Sequence, residues 1–172
     1  MKGIFIIGLC CLVLSCPARA QTVSTPFEKK LVKAVKELNC PSPDQRDPVG
    51  VNAILVKENA TGKMAVVLKA VIAPGWHLYS FVPADQPYIT TQCTLKLPPG
   101  ITAVGEWEKT SAQPSGTDRG VWIWEREVVF IQRLRWEKKE ANGIIQTGFS
   151  YQTCDLRQCL PPAERSFNLN IK

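Results

Sequence analysis

From Val49 to Ile171 the chain is cut into short segments rich in β-branched and aromatic residues, separated by turn formers at regular spacing. Val51 to Lys57 and Met64 to Ala73 flank the turn-like Asn59-Ala60-Thr61-Gly62, and Pro74-Gly75 introduces Trp76 to Tyr79. In Ile89 to Leu97, Ile89, Thr91, Cys93, Leu95 and Leu97 fall on one face and polar residues on the other, the period of two of a half-buried strand. Ile101 to Trp107 predicts a further strand, Val121 to Trp136 one or two, and Gly143 to Thr153 another; Phe167, Leu169 and Ile171 alternate in the last. About eight short strands of this kind predict an all-β fold, an immunoglobulin-like antiparallel β-sandwich.

The N-terminal part differs. Met1 to Ala20 carries Lys2, an apolar run from Ile4 to Leu14 and the small residues Ala18-Arg19-Ala20, which reads as a secretory signal peptide of residues 1–20. Its apolar core is too short to span a bilayer. Val13-Leu14-Ser15-Cys16 offers a second processing route, a lipoprotein signal that would leave a lipid anchor on Cys16. Both routes take the body of the protein out of the cytosol, to the periplasm or to a membrane surface. Residues 21–47 predict a short helix and a linker. Phe27, Leu31, Val35 and Leu38 share a stripe, Lys29, Lys30, Lys33 and Lys36 lie largely off it, and Pro41 to Pro48 is proline-rich. Solvated lysines on a helix packed at the domain edge are the simpler reading; a partner contact is the other. The remaining 48–172 forms the main domain.

Charge excludes little and suggests less. The 21 basic residues fall by two when Lys2 and Arg19 leave with the leader, against 15 acidic ones. Both signs are interspersed, so no nucleic-acid partner is expected. No Ser-His-Asp set, paired catalytic carboxylates or phosphate loop stands out. The single histidine, His77, reads as a structural or rim residue, and no metal site and no cofactor are expected.

The chemistry-bearing feature is Tyr151-Gln-Thr-Cys-Asp-Leu-Arg-Gln-Cys-Leu-Pro-Pro162. Cys154 and Cys159, a Cys-x4-Cys pair, can close a small ring, since facing hairpin positions meet the Cα separation of about 4.4–6.8 Å that a disulfide requires. Such a ring removes little chain entropy, and small exposed rings are the exchangeable kind. A structural disulfide in a secreted β-domain is the competing reading. Parity places Cys154 opposite Ile145, Phe149 and Tyr151, on the polar face, where a partner could reach it. Arg157 would favour a thiolate and Asp155 would oppose it. Cys93 shares a face with core residues and reads as an inert thiol; Cys40 could be free, pair with Cys93, or bridge to another molecule. Trp122 and Trp124 share one face, with Val121 and Ile123 on the other, so one of these pairs could be exposed.

Pro74-Gly-Trp-His-Leu-Tyr-Ser80, followed far downstream by Tyr151-Gln-x-Cys…Cys-Leu-Pro-Pro162, resembles the N-terminal periplasmic domain of the thiol-disulfide interchange protein DsbD and its stand-alone relatives. The resemblance covers about Asp47 to Lys172. It implies an immunoglobulin-like sandwich that relays electrons between a membrane electron donor and thioredoxin-like envelope proteins, including those of cytochrome c biogenesis. It implies that Cys154 and Cys159 are the redox pair, with Cys159 facing the partner. Trp76, Tyr79, Trp122, Tyr151 and Arg157 are the expected gating or partner-contact residues. The sequence stops at Lys172 without the family's membrane and thioredoxin-like domains, so a separate protein is expected to supply the electrons. Two departures stand out. The stretch Ser111 to Trp122, which corresponds to the family's cap loop, lacks its Phe-Tyr-Gly motif, with Trp122 as the available substitute. The cysteines are also separated by four residues where some members have five. The alternative function is a non-catalytic β-sandwich binding module with a structural disulfide.

Overall fold

The computed structural model describes residues 25–137 and 143–171, so the signal peptide and Cys16 lie outside the described residues. One helix, α1 (Pro26–Glu37), precedes eleven strands: β1 (Val49–Glu58), β2 (Lys63–Ile72), β3 (His77–Phe81), β4 (Gln92–Lys96), β5 (Ile101–Lys109), β6 (Gln113–Pro114), β7 (Trp122–Trp124), β8 (Glu127–Trp136), β9 (Ile144–Tyr151), β10 (Thr153–Cys154) and β11 (Ala163–Asn170). They form three sheets in the orders β1-β2-β8-β5, β10-β3-β7-β6 and β11-β9-β4. All their pairings are antiparallel, as an immunoglobulin-like sandwich requires.

The main core joins all three sheets. Val66 and Leu68 of β2 and Val128 and Phe130 of β8 face Leu78 of β3, Trp124 of β7, and Ile145, Phe149 and Tyr151 of β9. Phe130 sits at its centre, edge-on to Trp124 at 5.3 Å between ring centroids and 5.6 Å from Phe149. The chain runs from β9 into β10 with only Gln152 between, so it leaves one sheet and enters the next at that point.

Strand β2 is buried on both faces. Met64, Val66, Leu68 and Ala70 enter the main core, while Ala65 and Val67 meet Phe27 and Leu31 of α1 and Leu38. Thr25 caps the helix by accepting the Glu28 N–H at 3.3 Å, and Pro26 stands in the first turn, where a missing N–H costs nothing. The four lysines of α1 are exposed, as the solvated-face reading expects. On the helix side of the sheet, Lys69 is buried to 8% and pairs with Glu127 at 3.0 Å.

Arg133 ties the helix to β8 and β5. It donates to Glu28 at 2.6 Å and makes a second pair with Glu108. The hydrogen bond from Arg133 holds the Glu28 carboxyl below its ordinary 4.5. A depressed folded-state value adds stability above that pH, lost as the pH falls through the folded value. Glu28→Gln is therefore expected to cost less than about 1 kcal/mol at neutral pH, because both side chains are about a third exposed and screened. The difference from wild type should shrink as the pH falls below 4.5 and through the lower folded-state value. Denaturant titrations across pH check this; a gap persisting in acid would assign the loss to packing.

Two expectations are corrected, at Ile89 and at the tryptophan pair, and the one or two strands expected from Val121 to Trp136 are two. Ile89 is 42% exposed and precedes β4, which begins at Gln92, because residues 82–91 wrap across the sheet instead of extending it. Val121 to Trp136 is broken by Arg126 in the left-handed region, φ 66°, so β7 and β8 enter different sheets. Trp122 and Trp124 do not behave as a pair: Trp124 is buried and donates its indole N–H to Thr110 O at 2.7 Å, whereas Trp122 is 44% exposed.

Candidate functional site

The site begins with a turn. Ala73-Pro74-Gly75-Trp76 closes with Trp76 N–H donating to Ala73 O at 3.0 Å, and Gly75 takes φ +83°, the type II geometry that places Pro and Gly at its two centres. The turn drops Trp76 into the main core and starts β3 at His77. Strand β10 then pairs with β3, Thr153 opposite Leu78 and Cys154 opposite His77. The Thr153 hydroxyl donates to His77 O at 3.0 Å and locks this register.

Cys154 and Cys159 form a disulfide, with Cα atoms 4.0 Å apart, closer than the usual range. Asp155 builds the ring. Its Oδ1 accepts the N–H groups of Arg157 and Gln158, both at 2.7 Å, and its own N–H donates to Gln158 O at 2.9 Å. This is an Asx-type turn, and it accounts for an aspartate directly after the first cysteine. Those bonds hold the Asp155 carboxyl below its ordinary value.

The two sulfurs occupy different environments. Cys154 is 1% exposed, enclosed with Tyr79, Val121 and Ile123, and with Val82 and Tyr88 packed around them. Cys159 is exposed, and Leu156 between them is 86% exposed. The parity expected for Cys154 holds, since it faces away from the main core. Its expected accessibility does not: Tyr79 and Ile123 on the neighbouring strands β3 and β7, with Val121 before β7 and Val82 and Tyr88 after β3, bury it in a separate small apolar cluster.

The cover is itself pinned. Tyr88 stacks on Tyr79 at 4.7 Å and donates its hydroxyl to Asp118 at 3.1 Å. Thr117 and Ser115 donate to the same carboxylate, and together these bonds hold Asp118 below its ordinary value. Burial pushes the Tyr79 hydroxyl well above its usual range, so it stays neutral.

The expected contact residues divide accordingly. Tyr79 lies directly in the cluster over Cys154. Trp76 and Tyr151, 4% and 2% exposed, belong to the main core and offer no surface to a visitor. Trp122 pairs with Phe81 and Pro114, at the far end of β3 from His77, so Val121 and Ile123 occupy the cap position instead. Arg157 is exposed in the ring. Tyr88, Asp118, Asp155 and His77 form the site's other parts; of these only Asp155 carried a local signal, its place at the head of a four-residue turn. Cys40 and Cys93 are both free thiols, and burial pushes Cys93 up to about 12, the inert behaviour expected of it.

The N-terminal periplasmic domain of ScsB from Proteus mirabilis superposes on this chain with a TM-score of 0.51 and 23% identity, over 78% of this chain and 49% of that one. The chain has a DsbD-like N-terminal domain fold. It spans about half the length of the ScsB chain. The DsbD N-terminal domain of Neisseria meningitidis, in its reduced form, is also similar, with TM-score 0.48, 15% identity, and 80% of this chain and 92% of that one covered. No family model and no curated protein matches the sequence. Among the described residues, no helix is long and apolar enough to cross a membrane.

Proposed function

We propose that this is a periplasmic thiol-disulfide exchange protein that relays two electrons through Cys154 and Cys159. The observation that carries the reading is the asymmetry of the ring, one sulfur at the surface and one enclosed. An incoming thiolate attacks the exposed Cys159 sulfur and displaces Cys154, the geometry a mixed disulfide requires. The partner's second thiol then releases Cys159, leaving the dithiol form. Running backwards, the dithiol reduces a partner disulfide. Both electrons are held by the two sulfurs, so no cofactor takes part. The partners are thioredoxin-like envelope proteins and a membrane electron donor, with the cytochrome c maturation thioredoxins among the acceptors. Location in the periplasm follows from the leader sequence and accords with the fold. The redox domain is residues 48–172, with 21–47 as an N-terminal helix and linker.

The test is a trap. Cys154→Ser leaves Cys159 as the one exposed thiol among the described residues, and incubation with oxidised thioredoxin-like envelope proteins should yield a mixed disulfide visible on non-reducing gels and mapped to Cys159 by mass spectrometry. The wild-type potential should lie above about −300 mV, where structural bonds give way to exchangeable ones. No adduct with any such protein, together with a potential below that value, would leave a binding module with a structural disulfide.

A further inference from the structure

The relay reading leaves one chemical step without an agent, and the inference drawn here rests on that reading. When the dithiol form hands on its electrons, Cys159 reacts first and becomes joined to the partner. Cys154 must then lose its proton and attack Cys159. At 1% exposure, bulk water does not reach it to take that proton.

We propose that His77 is the general base that deprotonates Cys154 in this closing step. The two residues are direct cross-strand partners in the β10–β3 ladder, and such pairs hold their side chains on one face with Cβ atoms about 4.5–5.5 Å apart. The His77 Nε2 is buried with no hydrogen-bond partner. A buried polar atom left unpaired calls for an explanation. The disulfide form supplies one: Cys154 then carries no proton to share, and it gains one only on reduction.

The surroundings suit a base. Burial holds the imidazole below its ordinary 6.5, so it is neutral and able to accept a proton at neutral pH. Tyr79, edge-on at 5.0 Å from the same strand, stays neutral and does not compete. The carboxylates acting on His77 are Glu125 beyond β7, Asp118 in the cap and Asp155 in the ring. Each is already engaged, Glu125 by Gln113 at 2.6 Å, Asp118 by Tyr88, Asp155 by two backbone N–H groups. They therefore leave the proton to the imidazole, and their negative charge steadies the imidazolium once it forms.

The step balances. The Cys154 S–H proton passes to His77; the Cys154 thiolate attacks the Cys159 sulfur; the bond between Cys159 and the partner sulfur breaks, and the partner leaves as a thiolate carrying the electron pair. The imidazolium then returns its proton to solvent. The oxidant is the partner's disulfide.

The experiment uses the reduced protein carrying Cys40→Ser and an aromatic disulfide, dithiobis(nitrobenzoate), which at the pair releases a coloured thiolate twice: once as Cys159 forms the adduct, and again as Cys154 closes the ring. In wild type, the second rate should rise through an inflection below pH 6.5 and level off by neutrality. His77→Gln should slow it about tenfold or more at neutral pH and shift its rise into the range of a free thiol, with the first release as the internal reference. A second release equally fast in His77→Gln, with the same pH profile, overturns the inference and leaves the relay intact. So does a wild-type profile that climbs into the alkaline range with no lower inflection, a result independent of how the variant folds. If wild type gives no Cys159 adduct at all, the relay itself fails.

Discussion

Cys159→Ser is expected to abolish exchange with dithiol and disulfide partners, by at least about a thousandfold in rate, although it leaves the other cysteine in place. The reason is access. Cys159 is exposed, while Cys154 is enclosed among Tyr79, Val121 and Ile123. Exchange requires a thiolate to approach a sulfur, and an enclosed thiol is neither ionised nor reachable. The two single-serine variants should therefore differ sharply toward iodoacetamide. Cys159 in Cys154→Ser should alkylate at about the rate of a free thiol, and Cys154 in Cys159→Ser only on unfolding, with the label mapped by mass spectrometry to separate both from Cys40 and Cys93. The stability cost is a separate matter. A ring this small accounts for about 2 kcal/mol on a chain-entropy estimate, which a sandwich with a full core can absorb. Residual exchange in Cys159→Ser comparable to Cys154→Ser would show that the cap opens freely and that burial does not assign the roles.

Phe130→Ala is expected to produce the largest loss of stability, about 3–5 kcal/mol. Its ring is fully buried and touches aromatic partners in both of the facing sheets, Trp124 and Phe149. Removing it deletes the transfer energy of a large side chain and opens a cavity that two twisted sheets cannot collapse to fill. Equilibrium unfolding in urea measures the change. A loss below about 1.5 kcal/mol would mean that the layers hold together without this contact. Val104→Ala, 41% exposed on β5, serves as the control and should change stability by no more than about 0.5 kcal/mol.

Much of the fold was legible because strand periodicity is a local property. The alternation in β8 and β11 and the apolar run of β2 set their faces directly from residue order, and the stripe Phe27, Leu31, Leu38 set the buried side of α1. The parity of Cys154 was legible for the same reason. The error at Ile89 came from continuing that period past the real end of a strand, where the chain turns to wrap Tyr88 over Tyr79.

What residue order alone settled was the longer strands, the sandwich they build and the closeness of two cysteines joined by a short turn, while the two-residue strands β6 and β10 carry no period to read. Each depends on neighbours within a few positions. The tertiary structure decided which sulfur is hidden, because strands β3 and β7 and the stretch after β3, all distant in sequence, close the face that parity left open. It also decided that His77 stands opposite Cys154, since strand pairing is a long-range choice made by packing both layers at once. A period of two states which way a side chain points, and only the assembled sheets determine what it meets there.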